Sequence, residues 1–128
     1  MLLNISIALN DMQIYIATPV NGRKEKTLAE KRAAAYERVK EMAAYLRRRY
    51  PDALFVSGFT VYPLEQESEM RESYVMGCCV RLVMESDMVV MDETWRDSRG
   101  CWVEHEVARQ YDIPTKSYQR MKLNDKLK

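Results

Sequence analysis

The stretch from Trp95 to Pro114, WRDSRGCWVEHEVARQYDIP, crowds reactive side chains into the start of a predicted helix. Asp97, Ser98, Arg99, Gly100, Cys101, Glu104, His105 and Glu106 all fall within it. Ser98 suits the N-cap, and Gly100 permits close backbone approach. The unpaired N–H groups of the first turn, with Arg99, favour an anion such as a phosphate or carboxylate. Capping alone is the plainer reading of the same residues. Glu104 lies one turn further in, so its carboxylate projects toward whatever the loop holds. Glu106 falls about 200° round the helix and should face solvent or a partner. Cys101 and His105 share a face at i and i+4. A metal site needs more ligands than these two, and His105 is the sole histidine, so no metal is expected. A Cys–His nucleophile pair needs exposure and an orienting group, and His105 reads more simply as packed.

Elements that alternate along the chain must position these groups. QIYIATP (residues 13–19) reads as a buried strand that ends in a turn at Pro19 and Gly22. From about Glu25 to Tyr50, Leu28, Ala35, Val39, Met42, Leu46 and Tyr50 recur at helical spacing, and Pro51 stops the helix. ALFVSGF (53–59) is a second strand, and TVYPLEQESEM (60–70) a loop. Met70, Tyr74, Cys78 and Leu82 mark a second helix. DMVVM (87–91) is apolar throughout, as a central parallel strand should be. The third helix begins near Arg99, and DIPTKSY (112–118) offers a fourth strand. The tail, 119–128, reads as polar and frayed. The predicted fold class is α/β: a small doubly wound, flavodoxin- or Rossmann-like parallel sheet with helices on both faces. Ligands of such sheets bind beyond the carboxyl ends of the strands. Thr18 to Arg23, Ser57 to Tyr62 and Asp92 to Glu104 therefore share one edge.

Bulk properties exclude rather than assign. The 128 residues suit one domain; 47% are hydrophobic, 30% are charged and the formal net charge is +1. No membrane and no nucleic-acid polymer is called for. Charge is nonetheless uneven. Residues 23–49 hold ten Lys/Arg against four Glu, 65–106 eleven acids against four Arg, and 107–128 six bases against two acids. These read as solvated helix faces or as surfaces for association. Three cysteines, two of them adjacent, suit reduced thiols and a cytoplasmic location. Residues 1–11 lack a signal-peptide pattern and read as an N-terminal extension or an extra edge strand, or as an over-extended start before Met12.

IYIATPVNGR, YVMGCC…LVMESDMVVM and WRDSRGCWVEHEVARQYDIP resemble the nucleoside 2-deoxyribosyltransferase-like superfamily, in the branch grouped as DUF4406, over about residues 12–118. The most specific match is Gly100 with Glu104 four residues on and Ala108 after it. The resemblance implies that Glu104 is a nucleophile attacking the anomeric carbon of a nucleoside, with Tyr15 positioning it. Ser98 and the Gly22-Arg23 loop resemble the deoxynucleoside 5′-monophosphate N-glycosidases, which implies a phosphorylated ligand. Thr18 replaces a Gly of the family's first loop, and Cys79 stands where relatives commonly carry Asp. Asp92 or Asp97 could then serve as the acid.

The candidates for catalysis are thus Glu104, Tyr15 and Asp92. The candidates for ligand binding are Thr18, Gly22, Arg23, Trp95, Ser98, Arg99 and Gly100. Trp95, in a loop, has the better claim to stack on a base; Trp102 is expected in the core or at a subunit interface, and Tyr62 and Pro63 beside the pocket. The partner expected is a nucleoside or nucleotide, with no cofactor, and the protein is expected to form a homodimer or higher oligomer. Three readings follow: an N-glycosidase or deoxyribosyltransferase-like enzyme, a non-catalytic nucleotide-binding module, and an interaction protein. Base release dependent on Glu104, stabilisation by an intact nucleotide, and partner capture indifferent to Glu104 and Arg23 would separate them.

Overall fold

The computed structural model describes residues 12–20, 23–25, 27–66 and 68–127. The expectations for residues 1–11 and for Gly22 lie outside the described residues. The elements are β1 (Gln13–Ala17), α1 (Leu28–Arg49), β2 (Leu54–Ser57), α2 (Gly58–Val61), α3 (Glu72–Met84), β3 (Met88–Met91), a 3₁₀ turn (Trp95–Asp97), α4 (Arg99–Gln110), β4 (Thr115–Ser117) and α5 (Tyr118–Lys126). All strand pairs are parallel, in the order β2-β1-β3-β4. Tyr15 sits between Val56 and Val89 in the register. The chain moves outward from β1 to β2, then crosses back to β3, so the order reverses at β1.

Strand alternation divides the core into two layers. Ile14, Ile16, Met88 and Val90 pack with Met42 and Leu46 of α1 and Tyr118 and Met121 of α5. Tyr15, Ala17, Val89 and Met91 pack with Cys79 and Val83 of α3 and Cys101 and Ala108 of α4. The doubly wound α/β prediction therefore holds, with helices on both faces. Local chemistry sets the helix ends. The Thr27 hydroxyl accepts from the Glu30 N–H (3.1 Å) at the start of α1. The Tyr50 N–H returns to the Leu46 carbonyl (2.8 Å) just before Pro51.

Two boundaries differ from expectation. The second strand stops at Ser57 because its hydroxyl accepts from the Phe59 N–H (3.1 Å), while its own N–H donates to Thr60 Oγ1 (3.0 Å). That reciprocal pair turns the chain into α2 instead of extending it through Phe59. The tail is helical as far as Lys126 and not frayed there: Ser117 caps α5, and Tyr118 and Met121 are buried beneath α1. Tyr118 meets Tyr45 edge to face, ring centres 5.4 Å apart. Burying one side chain of this size contributes about 2 kcal/mol, enough to dock a short polar helix. Among the described residues, no helix is long and apolar enough to cross a membrane.

Candidate active site

A cavity of about 680 Å³ opens at the carboxyl ends of β1 and β2, between α1, α3 and α4. Tyr15, Cys79, Cys101 and Glu104 all line it. Tyr15 reaches it because odd-numbered residues of β1 face the α3/α4 layer. Glu104 reaches it because it stands three and four residues after Cys101 and Gly100, on the helix face turned to the sheet. The Tyr15 hydroxyl donates to the Glu104 carboxylate across 89 residues of chain.

Only 6% of Glu104 is exposed. Burial pushes its carboxyl up to about 7, while hydrogen bonds from Tyr15 and Cys101 restrain the rise. The Tyr15 phenol is pushed well above its ordinary value, first by burial and then by the Glu104 charge. Burial and the same charge push the Cys79 thiol up to about 11 and raise the Cys101 thiol further. Both sulfurs are therefore neutral thiols near pH 7, which is the wrong form for a nucleophile. Glu104, on the cavity floor, is poised to gain and lose charge near neutrality.

The predicted residues divide. Ser98 caps α4 as expected, its hydroxyl accepting from the Cys101 N–H (3.3 Å), and Ser98, Gly100 and Thr18 line the cavity. A Cβ at Gly100 would meet Met76 Sδ at 3.7 Å and Ser98 Oγ at 3.8 Å, ordinary contacts, so the glycine is not sterically obligatory. Thr18 turns its hydroxyl toward Met42 Sδ (3.5 Å). Arg99 does not line the cavity: its side chain is 87% exposed and faces Glu72 at 3.7 Å. Arg23 folds back on its own loop, Nε to the Pro19 carbonyl (3.0 Å), and does not line the cavity either. Glu106 is paired with Arg109 and Gln110, whose hydrogen bonds hold its carboxyl down to about 2.

Asp92, expected as an acid, does not line the cavity. It continues the phase of Met88 and Val90, so its carboxylate enters the opposite layer. There Arg38 donates from Nε (3.1 Å) and Nη2 (3.0 Å) and Gln119 from Nε2 (3.1 Å). Burial alone would raise the Asp92 carboxyl, but these donors hold it below its ordinary value. Asp97 does not line the cavity either. Trp95 also leaves the site: the 3₁₀ turn folds it beneath α4, stacked on His105 at 4.2 Å and edge-on to Trp102 at 5.0 Å. Trp102, expected to be covered within the chain or by a partner, is 48% exposed and donates to the Arg96 carbonyl (2.9 Å).

Several cavity residues escaped the reading of the sequence, Arg71 and Arg32 among them. Arg32 lines the cavity from α1, its guanidinium carbon 3.9 Å from the Tyr62 ring centre and its Nη2 donating to the Tyr62 carbonyl (2.6 Å). The signal was present. In the stripe Leu28, Ala35, Val39, Met42, the vacant helical position between the first two is 32, and it holds an arginine. Tyr62 lines the cavity as expected, and Pro63 contributes a carbonyl to Arg32 at 3.5 Å.

No curated protein and no solved structure matches the chain. Residues 12–116 match the family model of a domain of unknown function, DUF4406, and the chain belongs to that family.

Proposed function

We propose that this protein cleaves or transfers the N-glycosidic bond of a nucleoside or nucleotide, with Glu104 as the nucleophile. The observation that carries the reading is the Glu104 carboxylate itself: buried, on the floor of a nucleotide-sized cavity, and oriented by the Tyr15 hydroxyl. It agrees with the role that the resemblance to nucleoside 2-deoxyribosyltransferases implies for this pair.

The ionised carboxylate attacks the anomeric carbon. The C–N bond breaks, and its electron pair leaves with the base, which takes a proton from water. A glycosyl ester remains on Glu104. Water, or a second base, attacks the same carbon and regenerates the carboxylate. Negative charge beside the ring stabilises an oxocarbenium-like transition state, and the low-dielectric floor strengthens that attraction. Tyr15 holds the carboxylate in one orientation and offsets part of the cost of burying its charge. A carboxyl near 7 is half ionised at neutrality, so turnover should rise with pH through that value.

Base release from a panel of nucleosides and their 5′-monophosphates, followed by chromatography, tests the reading. Release from at least one of them, lost in Glu104→Ala, is expected; absence of release across the panel overturns it. A second reading, a pocket that holds an intact nucleotide, is favoured by Cys79. A neutral thiol stands beside Tyr15, and no second carboxylate among the described residues bonds to Glu104 or Tyr15. Stabilisation by a nucleotide recovered unchanged after incubation would support it.

A further inference from the structure

We infer that Arg32 is the residue that holds the anionic group of the ligand, and that the group is a phosphate monoester. The inference rests on the cavity being a nucleotide site, and it moves the anion away from the α4 entrance and the loop after β1, where Arg99 and Arg23 suggested it. Those two arginines do not line the cavity, and Arg32 does.

Arg32 is held ready for such a ligand. Its guanidinium carbon stands 3.9 Å from the Tyr62 ring centre and 5.3 Å from that of Phe59. One edge is fixed by Nη2, which donates to the Tyr62 and Pro63 carbonyls. Among the described residues, Nε and Nη1 have no hydrogen-bond partner and no carboxylate lies within ion-pairing distance. A half-buried cation held at one edge over an aromatic ring, with its other edge unused, is preorganised for bidentate contact with a tetrahedral oxyanion. Binding then loses little side-chain entropy, because the aromatic ring and the carbonyls have already ordered the side chain.

The rest of this wall is compatible with that role. Arg71, at the N-cap of α3, adds a second cation at the rim, and the first turn of α3 has no side-chain cap. Two carboxylates also line this side, Glu69 and Glu72. Both are exposed, and Glu72 is turned to Arg99 at 3.7 Å. Glu104 and Arg32 line the same cavity. A ligand that meets both presents a phosphate to Arg32 and a sugar carbon to Glu104, as a nucleoside 5′-monophosphate can.

The test measures thermal shift and affinity for three probes, inorganic phosphate, a nucleoside and its 5′-monophosphate. The proteins are the wild type, Arg32→Gln, Arg32→Lys and Arg99→Gln. The wild type should bind the monophosphate at least about ten-fold tighter than the nucleoside. Arg32→Gln should erase that preference and the shift with inorganic phosphate; Arg32→Lys should keep part of it, and Arg99→Gln all of it. Ligand-free melting of each variant shows that the wall still folds, and the lysine variant keeps a cation there if glutamine loosens it. The inference is overturned if the wild type shows no preference, if Arg32→Gln retains it, or if Arg99→Gln loses it. Base release is followed in the same samples. An Arg32-dependent preference without base release sinks the glycosidic reading and leaves this inference standing; base release indifferent to the 5′-phosphate does the reverse.

Discussion

Replacing Glu104 by Gln should stabilise the protein at alkaline pH while abolishing its chemistry. The carboxyl's ordinary value is 4.5 and burial pushes it up to about 7. Between those values the native state holds a proton that the unfolded chain has released. Native stability therefore falls as pH rises through that window and levels off above it. A shift of this size corresponds to about 3 kcal/mol, at about 1.4 kcal/mol per unit. Gln is nearly isosteric, cannot ionise, and still accepts the Tyr15 hydrogen bond through its carbonyl. Its amide N–H groups need partners on the cavity floor, a cost of about 1 kcal/mol that does not vary with pH. The decisive quantity is thus the pH dependence of the difference between variant and wild type. Urea unfolding followed by tryptophan fluorescence measures it. The variant should gain about 3 kcal/mol on the wild type between about pH 4 and pH 8. A difference that stays flat with pH would refute the reasoning, because Glu104 would then not be a buried carboxyl that charges near neutrality.

Tyr15→Phe removes a donor to the Glu104 carboxylate, so it should raise that group's titration by about one to two units and move the rising limb of the pH–rate profile to higher pH; an unmoved limb would mean that Tyr15 does not bond to the reacting carboxylate. Asp92→Asn breaks the buried pair with Arg38, partly exposed at its other end, and should cost about 2–4 kcal/mol in denaturant unfolding without changing the pH at which base release titrates; a shifted profile would return Asp92 to the chemistry. Because the Asp92 carboxyl is held below its ordinary value, the stability it contributes is present above that value and should fade as acid titration passes below it. Trp95→Phe should lower stability by about 1–2 kcal/mol and leave nucleotide affinity within about two-fold; a large affinity loss would place the indole against the ligand.

The fold was legible wherever one pattern had one explanation. The apolar runs at Ile14–Ile16 and Met88–Met91 suit a strand buried on both faces, and the Leu28–Leu46 stripe suits a helix on such a sheet. The placement of Glu104 behind a Ser98 cap followed from helical geometry alone. What was not legible depended on direction. Asp92 shares the strand-end edge with the site, but two-residue alternation from Val90 turns it to the other layer, toward Arg38 and Gln119. Trp95 sits in a loop by sequence, yet the 3₁₀ turn brings it under His105 and Trp102. The tail looked polar because only Tyr118 and Met121 of α5 are buried, too few for a periodic signal. Arg32 was hidden because it interrupts an apolar stripe, where a charged residue passes for surface until the cavity beside it is visible.

The central claim is that Glu104 becomes glycosylated, and mass spectrometry tests it most directly. A 2-deoxy-2-fluoronucleoside 5′-monophosphate slows both displacements by destabilising the oxocarbenium-like transition states, so the ester should accumulate. The account predicts an intact-mass gain of one fluorodeoxyribosyl phosphate, release of an equal amount of free base, and localisation of the adduct to Glu104 by peptide mapping. Base release with no adduct on Glu104, or undiminished release by Glu104→Gln, would contradict it.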